Sequence, residues 1–113
     1  MHEMALAETV IQIVEATARR SAAAAVRAVW LEIGRLSHVE PEALRFAFDV
    51  VKRDGAAHGA RLEIVAADGA AWCMKCSRTV ALARLGDACP CCGSYQLQVS
   101  AGDELRVKEI EIE

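Results

Sequence analysis

Cys73-Met74-Lys75-Cys76 and, twelve residues further on, Cys89-Pro90-Cys91-Cys92-Gly93-Ser94 contain all five cysteines of the chain. Two residues between cysteines let both sulfurs of a tight turn point at one ion. The N–H groups of the turn can then donate to the sulfurs and help hold their thiolate charge. Two such turns facing each other supply four thiolates in a tetrahedron. Four sulfurs satisfy zinc and leave no open position, so such a site is structural and not catalytic. Iron in a rubredoxin-like site uses similar Cys-Pro-x-Cys-Gly turns and stands as the alternative metal. Cys91 lies inside the second pair, so Cys89/Cys92 and Cys89/Cys91 compete as ligand pairs. The two-residue spacing favours Cys92 and leaves Cys91 as a small, partly exposed side chain.

A second set of donors stands at the start, in Met1-His2-Glu3. A free α-amine has a pKa near 8, so a metal can take it at neutral pH with little proton penalty. The imidazole of His2 is one residue away, and the amide nitrogen between them can be deprotonated by a strongly binding ion. Together these are three nearly coplanar nitrogens in fused chelate rings, which suit Ni(II) or Cu(II) better than zinc. Glu3 could add its amide or its carboxylate. The simpler reading of the same residues is a frayed chain end, with Glu3 placed to complement a helix dipole.

The elements that must position these groups follow from periodicity. Met4, Ala7, Val10, Ile11, Val14 and Ala18 recur at three- and four-residue steps and predict a helix over 4–20. "VRAVWLEI" over 26–33 alternates and predicts a strand ended by Gly34. Pro41 suits the first turn of a second helix, whose buried stripe would be Leu44, Ala47, Phe48 and Val51. "RLEIVA" predicts a second strand. From Trp72 to about Tyr95 no period is sustained. After Gly102 a last strand resumes, and its alternation changes parity between Leu105/Val107 and Ile110/Ile112, which predicts a bulge near Lys108-Glu109. The expected fold is α+β: two helices packed on a small, roughly three-stranded sheet, with an inserted four-cysteine zinc-ribbon module. The αβ domain would comprise 1–70 and 103–113, and the zinc module 71–102.

Composition limits the rest. Aromatics are only 4% of 113 residues, so the core must be Leu, Ile and Val, with Trp30, Phe46 and Phe48 as its large pieces. A net charge of −3 argues against nucleic acid, whose binding is carried by Lys and Arg. No apolar run approaches the roughly 20 residues of a membrane helix. Odd cysteine usage without a leader-like start points to a reducing cytoplasm and to metal rather than disulfides. His38 and Glu40 precede the second helix; either could complete the terminal site if that loop folds close to it, and Glu40 is also placed to serve the helix N-terminus. His58, among glycines and alanines, reads as solvated. No nucleophile, base and orienting group are assembled, and no phosphate-binding glycine loop is present, so no enzyme activity is expected.

"MHE" at the start, a helix–strand–helix–strand body, two Cys-x-x-Cys knuckles with the second reading "CPCCGS", and a short terminal strand together resemble the HypA/HybF family of nickel metallochaperones for [NiFe] hydrogenase maturation. The resemblance spans the whole chain. It implies His2 as the essential nickel ligand, with Glu3 beside it and the Met1 amine close by. It implies structural zinc on Cys73, Cys76, Cys89 and Cys92, with Ni(II) as transferred cargo. The implied partners are a nickel-handling GTPase, the hydrogenase large subunit and, for some members, urease maturation proteins. The cysteine between Pro90 and Cys92 departs from the family pattern and bears on which thiolate is used. Two other classes compete with this reading. A zinc-ribbon module for protein or nucleic-acid contacts would want more cations than Lys75, Arg78 and Arg84. A rubredoxin-like electron carrier would be coloured.

Overall fold

A computed structural model describes residues 2–113, so Met1 lies outside the described residues. The elements in chain order are α1 (Glu3–Arg20), β1 (Val26–Gly34), α2 (Pro41–Val51), a 3-10 turn (Lys52–Asp54), β2 (Arg61–Ala67), β3 (Gly69–Cys73), β4 (Arg78–Leu82), β5 (Leu97–Ala101) and β6 (Leu105–Ile112). They form two three-stranded sheets, ordered β2-β1-β6 and β4-β3-β5. The chain divides into two compact units. One holds the chain up to Leu31, Val39–Val65 and Arg106–Glu113; the other holds Glu32–His38 and Ala66–Leu105.

In the first unit α1 buries Ala7, Val10, Ile11, Val14 and Ala18, the stripe its periodicity predicts, although Met4 is exposed. Glu3 opens the helix and Arg19-Arg20 close it, so the charges complement the helix dipole. α2 begins at Pro41, packs against α1 and buries Leu44, Ala47 and Phe48, while Val51 of the predicted stripe is only half-buried. β6 lies beside β1, so the chain returns to the first sheet after the cysteine region. Its half-buried positions are Leu105, Val107, Ile110 and Ile112, with Lys108 and Glu109 both exposed, which is the parity change the sequence predicts.

Phe46 is not a core residue: it is 69% exposed, whereas Phe48 is 1% exposed. Helical period explains this, because Phe46 falls on the outward side of α2 with Glu42 and Asp49, away from Leu44, Ala47 and Phe48. Trp30 is only half-buried and carries the Arg61 guanidinium 5.5 Å above its ring. Phe48→Ala is expected to cost about 3–5 kcal/mol of stability, while Phe46→Ser should stay within about 0.5 kcal/mol of the parent. Denaturant unfolding of the two variants measures the difference.

The second unit contains regular structure where the sequence shows no period. β3 pairs antiparallel with β4 and with β5, placing Ala71 opposite both Val80 and Val99. Inward and outward residues alternate along β3, but the inward ones are Gly69, Ala71 and Cys73, too small to register as an apolar period. Trp72 therefore points outward and is exposed, as are Leu85 and Tyr95. The core is instead Leu36, Ala71 and Leu82, flanked by Leu97 and Val99. Leu36 comes from the loop after β1, where the Leu36 N–H donates to the Gly102 carbonyl at 2.7 Å. Gly34 is required beside this crossing, because a Cβ there would run into the Gly102 carbonyl.

Candidate metal centres

The first knuckle is the turn joining β3 to β4. The Ser77 N–H donates to the Cys73 carbonyl at 2.8 Å, and Ser77 takes a left-handed conformation with φ 54°. The second knuckle is closed by the Gly93 N–H to the Cys89 carbonyl at 2.9 Å and the Cys89 N–H to the Ser94 carbonyl at 2.8 Å. Gly93 has φ +75°, a conformation that glycine adopts without strain, which accounts for glycine at the end of the Cys-Pro-x-Cys-Gly run.

These turns bring Cys73, Cys76, Cys89 and Cys92 together, with all four sulfurs within 4.8 Å of one another. Cys73 Sγ lies 3.6 Å from Cys92 Sγ, and Cys76 Sγ lies 3.9 Å from Cys89 Sγ. A tetrahedron with metal–sulfur bonds of about 2.3 Å requires sulfurs about 3.8 Å apart, so the spacing fits a bound tetrahedral ion. Backbone donors face the sulfurs as the spacing predicts. The Cys76 N–H reaches Cys73 Sγ at 3.3 Å and the Cys91 N–H reaches Cys89 Sγ at 3.4 Å. Burial raises Cys89, but the N–H groups of Cys91 and Cys92 and the thiols of Cys92 and Cys73 outweigh it and bring the group down to about 6. Cys76 is pushed up to about 12, first by its hydrogen bond with Cys92 and then by burial and the Cys73 and Cys89 thiols. Four thiols this close cannot all ionise without a cation to offset their mutual repulsion. Cys91 is outside the cluster and exposed. It lies instead near the Arg78 guanidinium and raises the pKa of that arginine.

At the other end, His2 caps α1 and is exposed. Its carbonyl accepts the Leu6 N–H at 2.9 Å, the first bond of the helix. The Glu3 carboxylate accepts the Glu40 N–H at 3.2 Å. This bond is the main reason that the Glu3 pKa lies below its ordinary value. Glu40 is the N-cap of α2, and its own carboxylate accepts the Glu42 N–H at 3.2 Å. The fold thus places Glu40 against Glu3 across 37 positions of sequence and gives the Glu40 side chain a capping role. Sequence reasoning missed this bond, which uses a backbone donor and leaves no residue-type signal. His38 and His58 are both exposed.

The family model described as "Hydrogenase/urease nickel incorporation, metallochaperone, hypA" matches residues 1–112. The chain belongs to the HypA family. Relatives named hydrogenase maturation factor HypA align over all of this chain and all of their own. That of Rhodopseudomonas palustris strain BisB5 is 63% identical, and that of Albidiferax ferrireducens is 58% identical. The solution structure of the Ni metallochaperone HypA from Helicobacter pylori superimposes with a TM-score of 0.74. It covers 99% of this chain and 97% of its own at 24% identity, which shows a shared fold. HypA-family membership and the four-cysteine metal site together mark this chain as a nickel-incorporation metallochaperone of hydrogenase maturation. Among the described residues no helix is long and apolar enough to cross a membrane.

Proposed function

We propose that the chain binds Ni(II) through Met1, His2 and Glu3 and delivers it to the [NiFe] hydrogenase large subunit, working with a partner GTPase. The observation that carries this reading is the HypA-family match over residues 1–112, which takes in the terminal donors and both knuckles. Coordination chemistry supports it. A free amine, the His2 amide and the His2 imidazole offer planar nitrogens of the kind nickel prefers. His2 is exposed at the start of α1, where donors can leave one at a time during transfer. Glu40 is the proposed fourth residue of the site; to bind, its carboxylate must give up or share its bond to Glu42.

Cys73, Cys76, Cys89 and Cys92 are proposed to hold Zn(II) as a structural ion. Four thiolates close its coordination and leave no position for substrate, and no step of nickel transfer passes through it. Nickel handling is assigned to 1–70 with 103–113, and zinc binding to 71–102. The protein acts in the cytoplasm, where thiols stay reduced, as a carrier without enzymatic activity, and urease maturation proteins are further candidate recipients. The test is transfer of radioactive nickel from the loaded chain to nickel-free large-subunit precursor in the presence of the GTPase. The label is expected to move to the precursor; label that stays on the chain would refute delivery.

A further inference from the structure

The Glu40 backbone is fixed at several points. Its carbonyl accepts the Leu44 N–H at 3.0 Å, its carboxylate accepts the Glu42 N–H, and α2 itself is anchored by buried Leu44, Ala47 and Phe48. Its N–H then reaches out of α2 to Glu3 Oε2. The first turn of a helix has N–H groups without intrahelical partners and frays readily. Here residue 3 is bonded to a rigid point, one residue from His2.

We propose that the Glu3 carboxylate is a positioning group that, by accepting the Glu40 N–H, ties the nickel-binding terminus to the α2 cap and slows nickel release. The proposal rests on the terminal nickel site argued above and adds what controls its off-rate. A chelate loses its ion only after several donors detach, and each detached donor can rebind while the ion is still held. Holding Glu3, one residue from His2, raises the effective concentration of a detached donor near the ion, which favours rebinding. Freeing residue 3 removes that advantage. Glu3 then gives nickel its backbone amide, and its side chain acts through the acceptor oxygen alone.

The test is nickel release from the full zinc-loaded chain with its native N-terminus into excess chelator, followed by stopped flow. Glu3→Ala should release nickel about tenfold faster, the scale of one hydrogen bond. Glu3→Gln should recover most of that loss, since its amide oxygen can accept the same N–H, and should keep the parent nickel absorption spectrum. Glu40→Pro removes the N–H and should match Glu3→Ala; φ at Glu40 is −88°, within about 25° of the proline value. Glu40→Ala keeps the N–H and should have the smaller effect. Combining Glu3→Ala with Glu40→Pro should be no faster than Glu3→Ala alone, because both remove one bond. Two results would overturn the proposal: Glu3→Gln as fast as Glu3→Ala with a changed nickel spectrum, or parent-like release from Glu3→Ala. Should Glu40→Pro not fold, the two Glu3 variants decide by themselves. Undiminished nickel binding by His2→Ala would be a separate failure, of the terminal site itself.

Discussion

Cys89→Ser is expected to strip the chain of its zinc and unfold the second unit. Its core without metal is small: Leu36, Ala71, Leu82 and Val80, with Leu97 and Val99 only half-buried. Cys73 and Cys89 are themselves buried members of that core, so the metal's ligands are also its packing. Ligation in small metal modules contributes on the order of 10 kcal/mol, more than such a core can supply alone. A strong chelator should have the same effect on the parent. The amide spectrum of Ala66–Leu105 should collapse, while the buried faces of α1 and α2 in the other unit remain helical by circular dichroism. Cys91→Ser should retain one zinc, since Cys91 stands outside the sulfur cluster beside Arg78. A chelator that leaves the spectrum unchanged would refute a structural metal. A coloured, iron-containing protein would refute zinc.

The second large effect is at the N-terminus. His2→Ala removes the imidazole from the proposed three-nitrogen chelate and should abolish nickel binding at micromolar concentrations. Zinc content should not change, because the four cysteines lie far along the chain, at positions 73 to 92. Stability should also hold: His2 is exposed, its side chain makes no capping bond, and its contribution to α1 is its carbonyl, which alanine retains. Loss of nickel binding with unchanged zinc and unchanged thermal unfolding would separate a ligand from a structural residue.

Much of this arrangement was legible in the sequence because it follows local rules. Pro41 marked the start of α2, the shift between Val107 and Ile110 marked the change of half-buried face along β6, and cysteine spacing marked the sulfur tetrad. The features that stayed hidden depend on contacts distant in sequence or on small side chains. Leu36 sits in a polar loop and gives no sign that it completes the core beneath β3 and β4. β3 has the alternation of a strand, but alanine and cysteine face inward while its one large residue, Trp72, faces out. Phe46 was misplaced because composition was weighed without the helical period. Glu40 has two local readings in sequence, helix cap and metal donor. The structure shows the capping bond and, through the Glu40 N–H, a bond to Glu3 that neither reading foresees.

The terminal site makes one demand that no side-chain substitution tests: the α-amine of Met1 must be free and must occupy its own position. Adding two residues ahead of Met1 preserves every side chain, both knuckles and the Glu3–Glu40 bond, and displaces only that amine. The most direct measurement is therefore a nickel titration of the zinc-loaded chain with its native N-terminus beside the same chain extended by Gly-Ser. The native chain should bind nickel with the absorption of planar nitrogen coordination, and the extended chain should bind none at micromolar concentrations while keeping its zinc. Equal nickel affinity in the two would contradict the account.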